Sequence, residues 1–371
     1  MTFSLQWGAP RSGCFGHGGC SDHARLGWRA PDRWRPVGGI ASIAGAVLAG
    51  MTVCGAAKAG PLGVADRVDA QVRTAEIPMY GQPRKPAANL LMVSVGNGPP
   101  ARVLLDTGST GLRILASQIG PAVERTDRQT YDEYGDGTIL RGYVGRARIA
   151  FPEADHPVAT AEPIDIEVIT EVSCKQGAGR CPGLSGDRVG IMGVAFHARD
   201  TVFNPLAQLP GNLGQGFIVD LLGDRPHLRV GLTPEHLRDY VFWPMRALPS
   251  RGPTAPPAWD SASVNACYRV DDYDAGCYPV IFDTGADSMH FEMPAVDRGW
   301  LGRGGHLHHG RQVAMRIGDR LAWRFVNGPM APVKAKHERR SNSGLAFFRH
   351  FRVAFDSQNG RLGLWQAGHD R

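Results

Sequence analysis

The tripeptide Asp-Thr-Gly occurs twice in this chain, and each copy directly follows a short apolar run. Residues 103–105 (Val-Leu-Leu) lead into Asp106, and residues 280–282 (Val-Ile-Phe) lead into Asp283, 177 positions further on. Such a run predicts a buried strand that ends at the carboxylate, and the glycine allows a sharp turn just after it. One copy alone would be an ordinary turn. Two copies predict two related halves about a pseudo-twofold axis, each contributing one carboxylate.

The composition favours short strands joined by many turns over a helical fold. The chain contains 48 glycines and 27 prolines among 371 residues, which interrupt long helices. With 43% apolar and 20% charged residues, it has the composition of a globular protein. The formal net charge is +6, but residues 1–59 carry a surplus of four positive charges. The remainder is therefore too weakly basic to predict a nucleic-acid-binding protein.

Further motifs follow in an order that resembles the pepsin-like aspartic proteases. Residues 134–138 (Tyr-Gly-Asp-Gly-Thr) are similar to the tip of the flap hairpin that closes over substrate in that family. Residues 187–194 are similar to its apolar-apolar-Gly element, and residues 347–364 are similar to its closing hairpin. Because the sequence between these motifs is divergent, the resemblance indicates a distant, bacterial-type member.

The resemblance implies an all-β, bilobal fold with an active-site cleft between two pseudo-twofold-related lobes. We expect an N-terminal lobe at 60–230, with the first triplet and the flap, and a C-terminal lobe at 231–371, with the second triplet. It also implies an aspartic endopeptidase in which Asp106 and Asp283 share a proton and activate a water molecule, without a metal or cofactor. We expect a monomer that cleaves peptides or unfolded protein.

The resemblance assigns supporting roles to residues around the two carboxylates. The threonines of the triplets are expected to cross-link the two active-site loops through their hydroxyl groups. The flap tyrosine is expected to exclude water from the cleft. The residues with these roles are Thr107, Gly108, Ser109, Thr284, Gly285 and Ala286 around the carboxylates, and Tyr134 and Gly135 in the flap.

Several positions depart from the family pattern. Ala286 follows the second triplet where Ser109 follows the first, so the second carboxylate is expected to lack a hydroxyl donor. We therefore expect a raised pKa for the pair and an optimum at weakly acidic or neutral pH. Arg113 replaces the tryptophan that supports the flap tyrosine, and Asn342 and Ser343 replace two buried aliphatic residues. These departures leave open a second function, that of a pepsin-fold binding or inhibitor protein with little or no hydrolysis.

Four of the seven cysteines form two local pairs outside the N-terminal segment. Cys174 and Cys181 are seven positions apart, and Cys267 and Cys277 are ten apart. Such pairs are typical of short disulfide loops formed in an oxidising compartment. A four-thiolate zinc site is the alternative, but neither pair has the spacing of such sites. We expect two disulfides and no metal.

The N-terminal region, residues 1–59, has the features of an export signal. An apolar run at 38–54 follows a basic cluster, and small residues before position 60 predict cleavage after Ala59. The alternative is an uncleaved anchor, because the run is nearly long enough to span a membrane. We therefore expect a secreted or periplasmic protein, or else one anchored to the inner membrane by residues 38–54.

Overall fold

The computed structural model describes residues 73–81, 88–177, 181–184, 187–197, 202–249, 255–294, 296 and 298–366. These residues belong to one compact unit. They form 24 β-strands and six short 3₁₀-helices, and no α-helix occurs among them. The described part of the chain is therefore all-β, as the composition predicts. Residues 1–59 lie outside it, and none of the helices within it is long and apolar enough to cross a membrane.

The first triplet lies in a nine-stranded sheet. Its strands are β2 (Tyr80–Gly81), β3 (Ala88–Val95), β4 (Ala101–Asp106), β5 (Thr110–Leu115), β6 (Glu124–Glu133), β7 (Thr138–Ala147), β8 (Ile149–Ala150), β9 (Ile164–Cys174) and β10 (Gly190–Val194). The order is β2-β3-β4-β10-β5-β9-β7-β6, and β8 pairs with β3. Strand β4 is parallel to β10 and antiparallel to β3. Residues 103–105 of β4 are all buried because its two faces meet two different apolar clusters.

The second triplet follows a strand of a seven-stranded sheet. Its strands are β16 (Val264–Val270), β17 (Tyr273–Ile281), β18 (Met289–Phe291), β19 (Gln312–Ile317), β20 (Leu321–Val326), β21 (Val333–Ala335) and β22 (Ser341–Asn342). The order is β20-β19-β16-β17-β22-β18-β21. Strand β17 is parallel to β22, just as β4 is parallel to β10. Each triplet therefore begins beside a parallel neighbour strand.

A six-stranded sheet combines strands from both ends of the described chain. Its strands are β1 (Ala75–Pro78), β11 (Gly216–Asp220), β12 (His227–Val230), β13 (Val241–Pro244), β23 (Phe351–Asp356) and β24 (Arg361–Gln366). Its order is β1-β12-β11-β23-β24-β13, with every pair antiparallel. A separate pair joins β14 (Arg246–Ala247) to β15 (Trp259–Asp260). The 3₁₀-helices span Ala116–Gln118, Leu206–Gln208, Gly211–Gln215, Arg298–Trp300, Arg303–Gly305 and Leu345–Arg349.

Aromatic rings fill the core where β11 meets β23. Phe217 and Phe355 face each other across these strands, with their ring centroids 4.8 Å apart. Phe196 packs against both rings. Full burial of one such side chain contributes about 1.5–3 kcal/mol to stability. The seam between the two strands is therefore an apolar contact as well as a hydrogen-bonded one.

Both expected disulfides are present. Cys174, the last residue of β9, is bonded to Cys181, and Cys267 is bonded to Cys277, its direct partner across β16 and β17. A disulfide across a loop this short stabilises a fold by about 2.5 kcal/mol, mainly because it restricts the unfolded chain. Two such bonds fit a protein that folds in an oxidising compartment.

Candidate active site

The two carboxylates of the repeated triplets meet in the interior. Asp106 is the last residue of β4, and Asp283 lies two residues beyond the end of β17. Their side chains are within hydrogen-bonding reach of each other. The two residues are 0% and 1% exposed. The structure thus brings together the two acids that the sequence analysis singled out.

The glycine of each triplet packs against the opposite carboxylate. A Cβ atom on Gly108 would lie 2.5 Å from Oδ2 of Asp283, and one on Gly285 would lie 2.5 Å from Oδ1 of Asp106. A Cβ carbon cannot approach a carboxylate oxygen so closely, so any larger residue would displace the opposite carboxylate from its place in the pair. Glycine is therefore required at both positions by a reciprocal close contact.

The threonines cross-link the two triplet loops in a reciprocal pattern. The hydroxyl of Thr107 donates to the carbonyl of Phe282 at 2.6 Å and accepts the N–H of Thr284 at 3.0 Å. The hydroxyl of Thr284 donates to the carbonyl of Leu105 at 2.6 Å and accepts the N–H of Thr107 at 3.2 Å. All four bonds are buried, where backbone groups need partners. They fix the two loops, and with them the carboxylates, relative to each other.

Asn89 adds a cross-link that the sequence analysis did not identify. Its buried side-chain amide, on β3, donates to the carbonyl of Thr284 at 2.9 Å. The two residues are 195 positions apart, so no local pattern connects them. In the sequence, the one feature that could indicate this bond is the position of Asn89 directly before the apolar run at 90–93. A side-chain amide buried at the start of such a strand needs a hydrogen-bond partner.

Asp106 accepts one backbone and one side-chain hydrogen bond. The N–H of Gly108 donates to Oδ1 at 2.9 Å, and the hydroxyl of Ser109 donates to Oδ2 at 2.5 Å. Ala286, the equivalent of Ser109 after the second triplet, is fully buried and has only a methyl group to offer.

Asp283 has no hydroxyl donor at position 286, as expected, but a side-chain amide donates to it instead. The side-chain amide of Asn342 donates to Oδ2 of Asp283 at 2.6 Å, and the N–H of Gly285 donates to Oδ1 at 2.7 Å. The neighbouring hydroxyl of Ser343 accepts the backbone N–H of Asp283 at 3.2 Å. The two polar residues that depart from the family pattern therefore both contact Asp283. Asp283 thus has a side-chain donor of another kind, and the optimum at weakly acidic or neutral pH stays a prediction.

The environment of Asp283 favours its protonated form. Burial raises the pKa of Asp283 well above its ordinary value, and the nearby carboxylate of Asp106 raises it further. The hydrogen bonds from Asn342 and Gly285 oppose this rise because they stabilise the charged form. Two carboxylates this close titrate as a pair that shares one proton.

The segment with the flap motif forms the turn of the β6–β7 hairpin. The N–H of Tyr134 donates to the carbonyl of Thr138 at 2.9 Å, and the N–H of Gly137 donates to the carbonyl of Tyr134 at 2.9 Å. Asp136 accepts the N–H of Thr138 at 2.8 Å. Gly135 is exposed at the tip. The short polar side chain and the two glycines thus suit a tight hairpin turn.

The side chain of Tyr134 lies in the interior near the carboxylate pair. It is 5% exposed and packs in an apolar cluster that includes Leu104 of β4. Burial raises the pKa of Tyr134 well above its ordinary value; the charge of Arg113 lowers this pKa, and that of Asp106 raises it. The phenol is therefore neutral, and it lies within range of the charge of Asp106.

Arg113, one of the positions that depart from the pepsin-like pattern, forms a buried ion pair. Its guanidinium donates to both carboxylate oxygens of Asp132, at 2.9 and 3.0 Å, and to the carbonyl of Thr110 at 2.8 Å. Glu167 of β9 lies 3.5 Å from it. Asp132 belongs to β6, two residues before Tyr134, so the pair joins the hairpin to β5. Arg113 can be singled out from the sequence, whereas its acidic partners Asp132 and Glu167 cannot.

The disulfide between Cys174 and Cys181 lies beside the tip of the hairpin. Cys174 is the partner of Thr138 in the pairing of β7 with β9. The N–H of Lys175 donates to the carbonyl of Gly137 at 2.8 Å, so the loop that the disulfide closes contacts the hairpin turn directly. This disulfide therefore braces the same turn as the β7–β9 pairing.

Residues 75–241 match the family model of the PE-PGRS C-terminal aspartyl peptidase-like domain. The matched segment contains the first triplet and the β6–β7 hairpin, and it ends before the second triplet. No curated protein matches the chain. The match supports a relationship to the aspartyl peptidases, in agreement with the motifs and with the paired carboxylates.

Proposed function

We propose that this protein is a bilobal, pepsin-like aspartic endopeptidase with lobes at 60–230 and 231–371. The observation that carries the proposal is the pair formed by Asp106 and Asp283, two buried carboxylates within hydrogen-bonding reach. Two such groups cannot both be ionised at low cost, so they share one proton. The aspartyl peptidase-like match over 75–241 supports the same chemistry.

In the proposed reaction, the pair acts on a water molecule held between the carboxylates. The ionised carboxylate removes a proton from the water, whose oxygen attacks the carbonyl carbon of the peptide bond. The protonated carboxylate donates a hydrogen bond to the developing oxyanion. The amide nitrogen then takes up the proton that the carboxylate removed from the water, and the C–N bond breaks, which releases a carboxylic acid and an amine. The proton belongs to the pair, so at each step one carboxylate holds it and the other acts as the base.

Substrate access requires movement, because both carboxylates are buried. We assign this movement to the β6–β7 hairpin, whose tip residue Gly135 is exposed while Tyr134 is buried beside the site. An open hairpin would admit an extended segment of a peptide or unfolded protein. A closed hairpin would exclude bulk water and place the phenol of Tyr134 near the reacting groups.

The two disulfides favour a protein that acts outside the reducing cytoplasm. We therefore propose a secreted or periplasmic location, with export directed by residues 1–59. Retention at the inner membrane by residues 38–54 is the alternative. Mass determination of the N-terminus of the exported protein distinguishes the two, since cleavage after Ala59 removes the apolar run.

The proposed activity is tested by incubating purified residues 60–371 with an unfolded protein from acidic to neutral pH. We expect cleavage, and we expect Asp106→Asn and Asp283→Asn each to reduce it by at least ~100-fold, because each removes a group that takes up or holds the proton. Asp319→Asn, which alters an exposed carboxylate in the turn after β19, is the matched control and should leave cleavage unchanged. No cleavage at any pH, or cleavage by the Asn variants at the wild-type rate, would overturn the proposal.

A second candidate is a pepsin-fold binding or inhibitor protein with little hydrolysis. The near-complete burial of Asp106 and Asp283 favours it, because a catalytic pair must be reached by substrate. The same incubation distinguishes the two functions. A folded wild-type protein that retains an unfolded polypeptide on a column but releases no fragments supports the binding protein.

A further inference from the structure

Asn342 lies beside Asp283 because of the pairing between β22 and β17. The two strands are parallel, and Asn342 is the partner of Ile281, two residues before Asp283. Asn342 is 3% exposed. A buried amide of this kind needs a partner for each of its polar atoms, or it destabilises the fold.

The orientation of the Asn342 amide is fixed by the backbone. Its Oδ1 accepts the N–H of Gly344 at 2.8 Å, and its Nδ2 donates to Oδ2 of Asp283 at 2.6 Å. A backbone N–H can only donate, so the oxygen of the amide must face Gly344. The NH₂ group must then face the carboxylate. Asn342 is therefore a permanent donor to Asp283.

The two carboxylates consequently have equivalent donor sets of different origin. Asp106 receives a side-chain bond from Ser109, three positions along the same loop. Asp283 receives its side-chain bond from Asn342, 59 positions away in sequence, while Ala286 occupies the position equivalent to Ser109. The donor missing from one loop is replaced by one from a neighbouring strand.

We propose that Asn342 is the positioning residue for Asp283, which it orients and whose ionised form it stabilises in place of a hydroxyl at position 286. This inference rests on the proposed function in so far as it concerns the rate of hydrolysis. Asp106 faces Asp283 from the first triplet loop, and His290, opposite Asn342 on β18, lies 3.4 Å from Glu338. Asn342 thus acts on Asp283 as a neutral donor.

The kinetic test is the variant Asn342→Leu, which keeps the size of the side chain and removes the donor. We expect kcat to fall by about 10- to 100-fold with little change in KM, because the carboxylate loses its fixed orientation. We also expect the alkaline limb of the pH–rate profile to move to higher pH, since the shared proton is held more tightly once a donor to the ionised form is lost. An unmoved limb would contradict the proposal.

A rescue experiment distinguishes a positioning role of Asn342 from a merely structural one. We expect Ala286→Ser, introduced into the Asn342→Leu variant, to restore much of kcat and to return the alkaline limb towards its wild-type position. Asn327→Leu is the matched control, because Asn327 is equally buried but its side chain bonds to backbone groups of Leu307 and Arg311. It should lower the melting temperature without moving the limb. No rescue by Ala286→Ser, or the same limb shift in Asn327→Leu, would overturn the proposal.

A second readout does not depend on hydrolysis. The pKa of Asp283 is raised in the folded state, so the folded protein retains a proton that the unfolded chain has lost. The contribution of this proton to the free energy of unfolding is therefore fully present below the ordinary pKa of an aspartate. It is lost as the pH rises through the raised pKa. Asn342→Leu raises that pKa further, so we expect its destabilising effect to grow as the pH rises.

The same variant in an Asp283→Asn background should cause a loss of stability that does not change with pH. A pH-independent loss in both backgrounds would refute the role of Asn342. If the wild type never cleaves protein but the pH-dependent coupling is found, the proposed function fails while the contact between Asn342 and Asp283 stands. If cleavage occurs and the pH-dependent coupling is absent, the proposed function stands and the role of Asn342 is refuted.

Discussion

Thr107 and Thr284 each satisfy one donor and one acceptor of the backbone in the opposite triplet loop. Both residues are fully buried, so water cannot take over these bonds when a hydroxyl is removed. A buried backbone group left without a partner costs about 1–3 kcal/mol. At the scale of single residues, these two hydroxyl groups therefore hold the triplet loops together, and removal of either one leaves buried backbone groups without partners.

We expect Thr284→Val to lower the free energy of unfolding by about 2–5 kcal/mol, because valine keeps the shape but leaves the carbonyl of Leu105 and the N–H of Thr107 unsatisfied. Chemical denaturation followed by intrinsic fluorescence measures this loss. Thr284→Ser keeps the hydroxyl and loses one methyl group, so we expect a loss of only about 1 kcal/mol. Equal losses in the two variants would show that the hydroxyl does not matter.

Among the elements, the β6–β7 hairpin is held by unequal contacts along its two strands. Strand β7 pairs with β9 over its whole length, whereas β6 lies at the edge of the nine-stranded sheet. The buried ion pair of Arg113 and Asp132 ties this edge strand to β5. Burial by itself would raise the pKa of Asp132, but the charge of Arg113 and the hydrogen bonds from Glu167 and Arg113 lower it below its ordinary value. Asp132 is therefore ionised, so both members of the Arg113–Asp132 ion pair are charged at neutral pH.

We expect Asp132→Ala to lower the free energy of unfolding by about 3–5 kcal/mol, because it leaves the charge of Arg113 buried without its bidentate partner. Hydrogen exchange should show the loss of protection concentrated at the hairpin turn. Arg128→Ala is the control, since it breaks an exposed ion pair between the same strand and Asp165. Its expected effect is below about 1 kcal/mol. Comparable losses in both variants would contradict the importance of burial.

At the scale of the whole molecule, the six-stranded sheet joins the chain before the first triplet to the chain after the second. Strand β1 pairs with β12, and β11 pairs with β23, so early and late segments share one set of backbone hydrogen bonds. The stacked rings of Phe217 and Phe355 lie at that seam. The segment that matches the aspartyl peptidase-like family, 75–241, therefore ends inside a continuous sheet rather than at the edge of a fold.

We expect residues 75–241 expressed alone to lack a cooperative thermal transition. Removal of β23 exposes the edge of β11 and one face of Phe217, whose burial contributes about 1.5–3 kcal/mol. It also deprives Thr107 of its partners in the second triplet loop. Circular dichroism of this fragment, compared with residues 60–371, tests the expectation. A cooperative transition in the fragment would show that the first half folds independently.

Part of the candidate site could be predicted from the sequence because its signals are local. An apolar run followed by Asp-Thr-Gly indicates a strand end and a turn within seven residues, and the spacing of the cysteines indicates short disulfide loops. The donor of Asp283 could not be predicted in this way. Asn342 stood out only as a polar residue at a position expected to be aliphatic, and its partner is 59 positions away.

The sequence by itself predicted the all-β class from its composition, the hairpin turn at 134–138 from a family resemblance, and two disulfides and two aspartates at or just after strand ends from local patterns. The local patterns are informative because a few neighbouring residues restrict the backbone directly. Only the tertiary structure decided that Asn342 donates to Asp283, that Asp132 pairs with Arg113, and that β11 lies beside β23. These contacts join residues far apart in the chain, and burial makes each of them strong, so they exist only once the sheets have assembled.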